Sequence, residues 1–508
     1  MPRTGEQAGN RCIRGRGGDN VAVFDLLRRW YHKRSQEPWV RPWGLATPVL
    51  VLIVCLPMLR PLRYPYAASA QENENEIARL AMVKCIVEHR TVFVDQKSFH
   101  DIASGIATKR GDFPADYNYN RQPPVLAALL AGPYWAMRKF GLSFENNLVM
   151  VSYLLTLLGV TLPVAAAGGM IYRMGRLFEL RRPWRTLLGV ACVFGSGLVS
   201  YATVLNSNAP AAALVVASCA SLFHGAITHH RARAVFWLVL SGLTVSLAAM
   251  IDLGAIPFLL LLVLVILSLP WPMSTRVAGI GWYVLGAAPA IALHIALTVP
   301  LMGSVVPGFL HRGPSPTPTA TAAPAPQEDP DEDDVEGISP GPLDIAAIHL
   351  ADGLLGPHGL ISHFPILILG VGGIGTVLSR NWPRSTKTLA AVCLAAAILV
   401  VGGYVIADAD WSQPMFAVRW FIVFMPMLIF WIGPWLRRPH APGGWATAGT
   451  VLGVSILISL LGAASPFTPA KAGQYTAYVA AKQAFSAPAK PSRGRTTLPT
   501  SRPVRPGR

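Results

Sequence analysis

The chain has 508 residues, of which 52% are hydrophobic and only 14% charged, and its mean hydropathy is +0.42. This composition excludes an ordinary soluble enzyme and predicts an all-α polytopic membrane protein. The net charge of +17 does not indicate nucleic-acid binding, because Lys and Arg stand at the ends of apolar runs and in the tails, where they set membrane topology. The cysteines form no CxxC motif and no metal-binding spacing, so we expect no disulfide framework.

Residues 1–42 form an Arg-rich leader that we expect to be cytoplasmic. Its stretch VAVFDLLRRWYHKR, residues 21–34, fits either a helix lying on the inner membrane surface or a disordered leader. The first apolar run begins only near Trp43, so we expect a retained anchor rather than a cleaved signal peptide.

Residues 43–463 are expected to form one transmembrane domain with about eleven spans. The predicted spans are 43–60, 147–171, 186–205, 209–227, 235–251, 255–270, 277–300, 358–378, 387–406, 418–436 and 442–463. If each predicted span crosses the membrane once, four Arg clusters fall on the cytoplasmic side of a cell inner (plasma) membrane. They are the clusters at 173–185, 231–233, 380–384 and 437–438. The same pattern favours a re-entrant or interfacial segment at 125–140 over a crossing one.

Two segments lack the composition of a packed core. Residues 314–342 are rich in Pro, Ala and Thr and then in acids, which predicts a disordered outer loop. The basic tail, residues 464–508, is also expected to be unstructured.

The predicted first outer loop, residues 61–124, is hydrophilic and should hold interfacial helices. Glu72, Glu74 and Glu76 precede an amphipathic run, IARLAMVKCIVEH. These acids either complement the dipole of a helix N-terminus or include a general base or metal ligand at the membrane surface.

Farther along this loop, Asp101 follows an extended TVFVD, and Tyr117 and Tyr119 stand beside further acids. Such tyrosines suit either a headgroup belt or a sugar-binding surface. Arg121 and Gln122 precede a Pro-Pro pair that enters the next helix. Arg geometry is well matched to a phosphate.

Three later polar residues fall at the outer ends of predicted spans: Asn208, Asp252 and Arg419. Arg419, in AVRWFIVFMP, either extends to lipid headgroups or holds a lipid phosphate.

The loop follows an ordered series: ARLA…IVEHRTVFVD, HDIA…KRGDF, a Tyr-rich turn, and Pro-Pro before LAALLAGPYW. With the later YATVLNSNAPAAAL, GLISHFPILIL and MFAVRWFIVFMPML, this series resembles the integral-membrane GT-C glycosyltransferases, in particular relatives of protein O-mannosyltransferases and aminoarabinose transferases. The likeness covers roughly residues 43–440.

The resemblance implies inverting transfer of a sugar from a polyprenyl-phosphate donor to an acceptor that the sequence does not identify. A loop carboxylate would deprotonate the acceptor hydroxyl. The implied base is Glu76 or Glu74, with Asp101 next, and Arg121 and Arg419 would contact the donor phosphate. The remaining implied substrate-binding residues are Gln122, Tyr117, Tyr119, Asn208 and Asp252.

The sequence departs from the family in two places. Glu and Asn stand where the family usually has an acidic pair involving Asp, and Gln122 stands where it often has Lys. No cofactor is specified, and a divalent metal is left open. The alternatives are a transporter or flippase and a non-catalytic envelope protein, although the predicted spans are nearly free of ionisable residues.

Overall fold

A computed structural model describes residues 42–62, 70–94, 106–108, 118–120, 122–228, 230–303, 342–407, 416–437, 440–468 and 474–485. The leader 1–41, most of the 314–342 loop and the last 23 positions fall outside these ranges, so the predictions for them stay predictions.

The described chain is a bundle of helices with one small sheet. The helices are α1 Pro42–Met58, α2 Ala70–Lys84, α3 Val125–Lys139, α4 Phe144–Thr156, α5 Leu162–Met174, α6 Arg182–Phe194, α7 Asn208–Ile227, α8 Arg231–Ile251, α9 Ile256–Ser268, α10 Met273–Met302, α11 Pro342–Leu355, α12 Leu360–His363, α13 Ile366–Ser379, α14 Arg384–Ile406, α15 Met425–Ile429, α16 Gly433–Leu436, α17 Pro442–Ala464 and α18 Thr476–Phe485. Strands β1 Ile106–Thr108 and β2 Asn118–Asn120 pair antiparallel, with Ala107 opposite Tyr119.

Within the described residues, six helices are long and apolar enough to cross a membrane, or up to seven if a bent pair forms one span. They are Phe144–Phe178, Asn208–Ile227, Arg231–Ile251, Met273–Leu301, Arg384–Ile406 and Pro442–Ala464. The bent pair is Asp344–His363 with Ile366–Ser379, which meet at 90°. The all-α polytopic membrane class is therefore confirmed, whereas eleven spans are not.

The prediction of one continuous helical span at 186–205 is wrong. Helix α6 ends at Phe194, and the chain then folds through tight turns, with Gly197 at a φ of 71°. Ser196 supports the first turn by hydrogen bonding through its hydroxyl to the Cys192 carbonyl. These turns lead directly to the start of α7 at Asn208.

The predicted span 418–436 is likewise broken, into a 3-10 turn Arg419–Val423, α15, a second 3-10 turn Phe430–Ile432 and α16. Pro426 and Pro434 open the two short helices. Every residue from Phe421 to Pro434 is buried. This apolar run fills the protein core, which hydropathy alone does not separate from a lipid-facing helix.

Helix α2 differs from its prediction as well. It begins at Ala70, so the glutamates at 72, 74 and 76 lie within the helix rather than before it. The sequence predicts an amphipathic helix with Ile77, Leu80 and Val83 on its buried face. In the structure every residue from Glu76 to Cys85 is buried, so protein encloses this part of the helix on all sides.

The segment predicted to be re-entrant or interfacial is α3, a helix of 15 residues. A helix of this length extends about 22 Å, which is less than the roughly 30 Å of a bilayer core. It packs against α2 and the start of α4, and how it meets the membrane stays a prediction.

Contacts between helix termini define two ends of the bundle. One end, here called the basic end, gathers the start of α6, the end of α16 and the start of α17, where Arg437 pairs with Glu179 at 2.6 Å and Trp184 stacks on Trp445. Contacts bring Arg185 over the Tyr172 ring and Arg437 over the Trp382 ring, and Arg173 and Arg176 lie close enough to act on His224. The sequence pattern predicts the same end for the basic residues Arg181, Arg182, Arg231, Arg233, Arg276, Arg380, Arg384 and Lys387.

The other end, here called the polar end, gathers the end of α1, the turns before α7 and the end of α17. The Arg60 amide donates to the Thr203 carbonyl at 3.0 Å, and the Arg60 guanidinium donates to the Ala464 carbonyl. Segment 474–485, part of the tail predicted to be unstructured, also docks here through α18.

Candidate functional site: a buried polar cluster

The site begins with two charged residues on α2. Glu76 and Arg79 are three positions apart, which places them on one side of the helix. Glu76 is only 4% exposed to solvent and Arg79 only 3%. Among the described residues, Glu76 Oε1 and Arg79 Nε have no hydrogen-bond partner. Buried charged groups usually have their hydrogen bonds satisfied, so these two atoms need a physical account.

The second component is the turn that leads into α7. The side-chain amide of Asn206 donates to the Tyr201 and Val204 carbonyls, and its oxygen accepts from the Ala209 amide at 2.8 Å. This arrangement caps the start of α7 and fixes the backbone of residue 205. The Leu205 backbone contacts both α2 charges, since its carbonyl lies 3.5 Å from Arg79 Nη1 and it hydrogen bonds to Glu76.

The third component joins α7 to the end of α8. Asn208, the first residue of α7, donates from Nδ2 to Asp252 Oδ2. Asp252 follows the last residue of α8, and its Oδ1 accepts from the Gly254 amide at 2.9 Å. Both residues are buried, so this carboxylate is held rigidly by protein donors.

The fourth component is the 3-10 turn that opens with Arg419. This half-buried guanidinium lies 5.9 Å from the centre of the Trp420 ring, which stacks on Tyr404 of α14 at 5.1 Å. Arg419 interacts electrostatically with Asp252, Tyr201 and Tyr404. Gly254 packs near Trp420 and Val423, which brings the turn after α8 against this segment.

The charges of the four components influence one another. Burial raises the pKa of Glu76 to about 8, although Arg79 and the Leu205 hydrogen bond oppose this shift. Burial also lowers the pKa of Arg79 to about 10, with Arg419 acting in the same direction and Asp252 and Glu76 opposing it. Burial raises the pKa of Asp252, against the Gly254 hydrogen bond and the two arginines.

At neutral pH, Glu76 is therefore mostly protonated while Arg79 stays cationic. Arginine remains protonated at this pH in proteins, so Arg419 is cationic too. The described cluster then holds two guanidinium groups against at most one full carboxylate charge, that of Asp252. This excess of positive charge, buried at Arg79 and half-buried at Arg419, favours an anionic ligand with several acceptor oxygens.

Four of the sequence-predicted residues, Glu76, Asn208, Asp252 and Arg419, meet in this cluster. Tyr119 on β2 and Gln122 are half-buried, and their role stays a prediction. The predicted residues Asp101, Tyr117 and Arg121 and the side chain of Glu74 lie outside the described residues.

Sequence reasoning missed Arg79, which is the base that lies with Glu76 on α2. The sequence does contain a signal for Arg79. It is a basic residue three positions after the candidate general base, inside an otherwise apolar run. Tyr201, Asn206 and Tyr404 were also missed, since each lies within or beside a run that hydropathy assigns to a span.

A metal site is not evident in the part of the chain that the structure describes, where no group of three or more His, Cys, Asp or Glu is placed to hold an ion. Binding of a divalent metal therefore stays an open prediction, and it would need residues outside the described ranges. The arginine-rich cluster by itself suits an anion rather than a cation.

Comparison with known proteins adds no family to this description. No protein-family model matches the sequence, no curated protein aligns with it significantly, and no solved structure is significantly similar to it.

Proposed function

We propose that the protein is a membrane glycosyltransferase that moves a sugar from a polyprenyl-phosphate donor to an acceptor hydroxyl at the polar end. The observation that carries this proposal is the pairing of Glu76 with Arg79, two buried charged residues on one helix turn, each with a polar atom that no described residue satisfies. A phosphate ester and a hydroxyl group are the kinds of partner that would satisfy both.

In the proposed reaction, the ionised form of Glu76, which is the minor form at neutral pH, accepts the proton of the acceptor hydroxyl as the acceptor oxygen attacks the anomeric carbon. The bond between that carbon and the phosphate oxygen breaks, and polyprenyl phosphate leaves with the electron pair. A carboxylate whose pKa is near 8 is a stronger base than an ordinary glutamate. Arg79 stabilises the charge that develops on the leaving phosphate, and Arg419 binds the donor phosphate equally in the ground state and the transition state.

The location of the cluster supports this function over ion-coupled transport. Asn208 begins a candidate span, Asp252 follows the end of another, and Arg419 lies outside all six. Coupled transporters instead place ionisable groups near the middle of spans. A site at the ends of helices is where a lipid-linked sugar at the bilayer surface is accessible.

The proposal is tested in cells with and without the gene, by mass spectrometry of envelope glycans and of polyprenyl-phosphate sugars. We expect loss of one glycan modification and accumulation of its lipid-linked donor. Wild-type protein should restore the modification, whereas Glu76→Gln should not, although it reaches the membrane at a normal level.

The matched control is Glu179→Gln, which removes a carboxylate at the basic end and should restore the modification fully. The sequence-predicted alternatives, Glu74→Gln and Asp101→Asn, are tested in parallel. Full restoration of the modification by each of Glu76→Gln, Glu74→Gln and Asp101→Asn would contradict the proposed mechanism. Unchanged glycans and unchanged lipid-linked donors after deletion of the gene would contradict the proposed function.

A further inference from the structure

The backbone just before Arg419 has an unusual conformation. Ala417 has a φ of 50°, one of three non-glycine residues with a positive φ among those described. The left-handed region is unfavourable for alanine, so surrounding contacts must hold it there. The conformation matters because Ala417 directs the chain into the turn that begins at Arg419.

Four hydrogen bonds fix this short segment. The Phe416 amide donates to the Pro466 carbonyl at 3.1 Å, and the Val418 amide donates to the His358 carbonyl at 3.0 Å. The Phe416 carbonyl accepts from the Tyr201 hydroxyl. The Ala417 amide itself donates to the Thr476 hydroxyl oxygen at 3.2 Å. Two of these partners, Pro466 and Thr476, therefore come from the chain after α17.

Thr476 is itself fixed by helix α12 and the turn that precedes it. Its amide donates to the Pro357 carbonyl at 3.1 Å, and its hydroxyl oxygen lies 2.8 Å from His363 Nε2. His363 Nδ1 lies 2.9 Å from the Gly359 carbonyl, which can only accept. The proton of a neutral ring is therefore on Nδ1, and Nε2 accepts from the Thr476 hydroxyl. One hydroxyl thus links the Ala417 amide to the His363 ring.

We propose that residues 465–468 and 474–485 form a C-terminal clasp that holds Arg419 in the buried cluster, with Thr476 as its positioning residue. Thr476 is fully buried and contacts the segment on its N-terminal side without touching the reacting groups. Loss of its hydroxyl leaves the Ala417 amide and the His363 ring nitrogen without this shared partner. Ala417 can then relax from its positive φ, and Arg419 moves with it.

The first test is hydrogen–deuterium exchange of the purified protein in nanodiscs. Thr476→Val replaces the hydroxyl by a methyl group of similar size, and we expect the amides of residues 416–418 to exchange at least about tenfold faster. Thr476→Ser keeps the hydroxyl and should restore slow exchange. Exchange in the first half of α8, at the other end of that helix from Asp252, should not change in either variant.

The matched control is Thr468→Val. Thr468 is also fully buried in the clasp, but its hydroxyl donates only to the nearby Ser465 carbonyl. We expect this variant to leave exchange at 416–418 within about twofold of wild type. Unchanged exchange in Thr476→Val, or equal acceleration in Thr468→Val, would overturn the clasp.

The second test measures the apparent KM and kcat for the polyprenyl-phosphate sugar donor, and this arm rests on the proposed function. Thr476→Val should raise the KM about tenfold with little change in kcat, because Arg419 binds the donor phosphate, and Thr476→Ser should restore it. An unchanged KM in Thr476→Val would contradict the positioning role. If the wild-type protein transfers no sugar, the proposed function fails, and the exchange experiment alone decides whether the clasp exists.

Discussion

Asn208 donates a hydrogen bond to Asp252 across 44 positions of sequence, joining the first residue of α7 to the residue that follows α8. The two helices pack along their lengths, and this bond closes their contact at the polar end. Asp252 also interacts electrostatically with Arg79 and Arg419. A single buried carboxylate therefore joins a helix pair to the arginines of the cluster.

We expect Asp252→Ala to destabilise the protein by about 3 kcal/mol, because the buried Arg79 and the half-buried Arg419 lose their counter-charge and the Asn208 amide loses its acceptor. Thermal unfolding in nanodiscs at neutral pH measures the effect. The control is Asp344→Ala, at an exposed position on α11, which should change stability by less than about 0.5 kcal/mol. Equal melting temperatures for Asp252→Ala and wild type would show that the carboxylate does not balance the arginines.

The raised pKa of Glu76 predicts a pH dependence of stability. The ordinary value is 4.5 and the folded value is about 8, so the folded state binds this proton more tightly than the unfolded state. The contribution is fully present below pH 4.5 and is lost as the pH rises to about 8. Within that window the free energy of unfolding should fall by up to about 1.4 kcal/mol per pH unit from this group alone.

Glu76→Gln removes that contribution, since glutamine stays neutral throughout. Melting temperatures measured from pH 5 to 8 should fall less steeply in this variant than in wild type, and Glu179→Gln should keep the wild-type slope. Parallel curves for Glu76→Gln and wild type would mean that Glu76 ionises normally and is not enclosed as described.

The clusters of basic residues at helix ends predict the orientation in the membrane. Basic helix ends face the cytoplasm in most membrane proteins, so Ser274 at the start of α10 should be cytoplasmic and Gln474 beside α18 should be outside. Both positions are exposed. The described cysteines, Cys55, Cys85, Cys192, Cys219 and Cys393, are all buried, which lowers background reaction.

The measurement is labelling of single introduced cysteines in intact cells with a membrane-impermeant maleimide. Gln474→Cys should react directly, and Ser274→Cys should react only after permeabilisation. The reverse pattern would place the polar end in the cytoplasm and would contradict transfer on the outer side.

Much of the helix content follows from hydropathy. The spans predicted at 209–227 and 387–406 match α7 and α14 to within a few residues. The failures at 186–205 and 418–436 share one cause, since apolar residues that fill a protein interior have the same hydropathy as those that face lipid. Burial of Trp431 and its neighbours on every side depends on contacts between distant segments that periodicity does not reveal.

The candidate site was partly predictable for a different reason. Polar residues at the ends of apolar runs are costly unless they meet water or each other, which singled out Asn208, Asp252 and Arg419. Their meeting with Glu76 depends on how α2 inserts among the other helices, and that requires the tertiary fold. Arg79 was missed because a lone base in a helix normally extends to solvent, whereas here α2 is enclosed.

We infer above all that the buried Arg79 and the half-buried Arg419 at the polar end bind a lipid-linked phosphate. Equilibrium binding of radiolabelled polyprenyl monophosphate, the product common to all donors of this class, to purified protein in nanodiscs tests it most directly. We predict saturable binding by wild type, weakened at least about tenfold in Arg79→Leu and unchanged in Arg138→Leu, which alters a partly exposed arginine that pairs with Glu88. Absence of saturable binding by wild type, or equal affinity of Arg79→Leu and wild type, would contradict it.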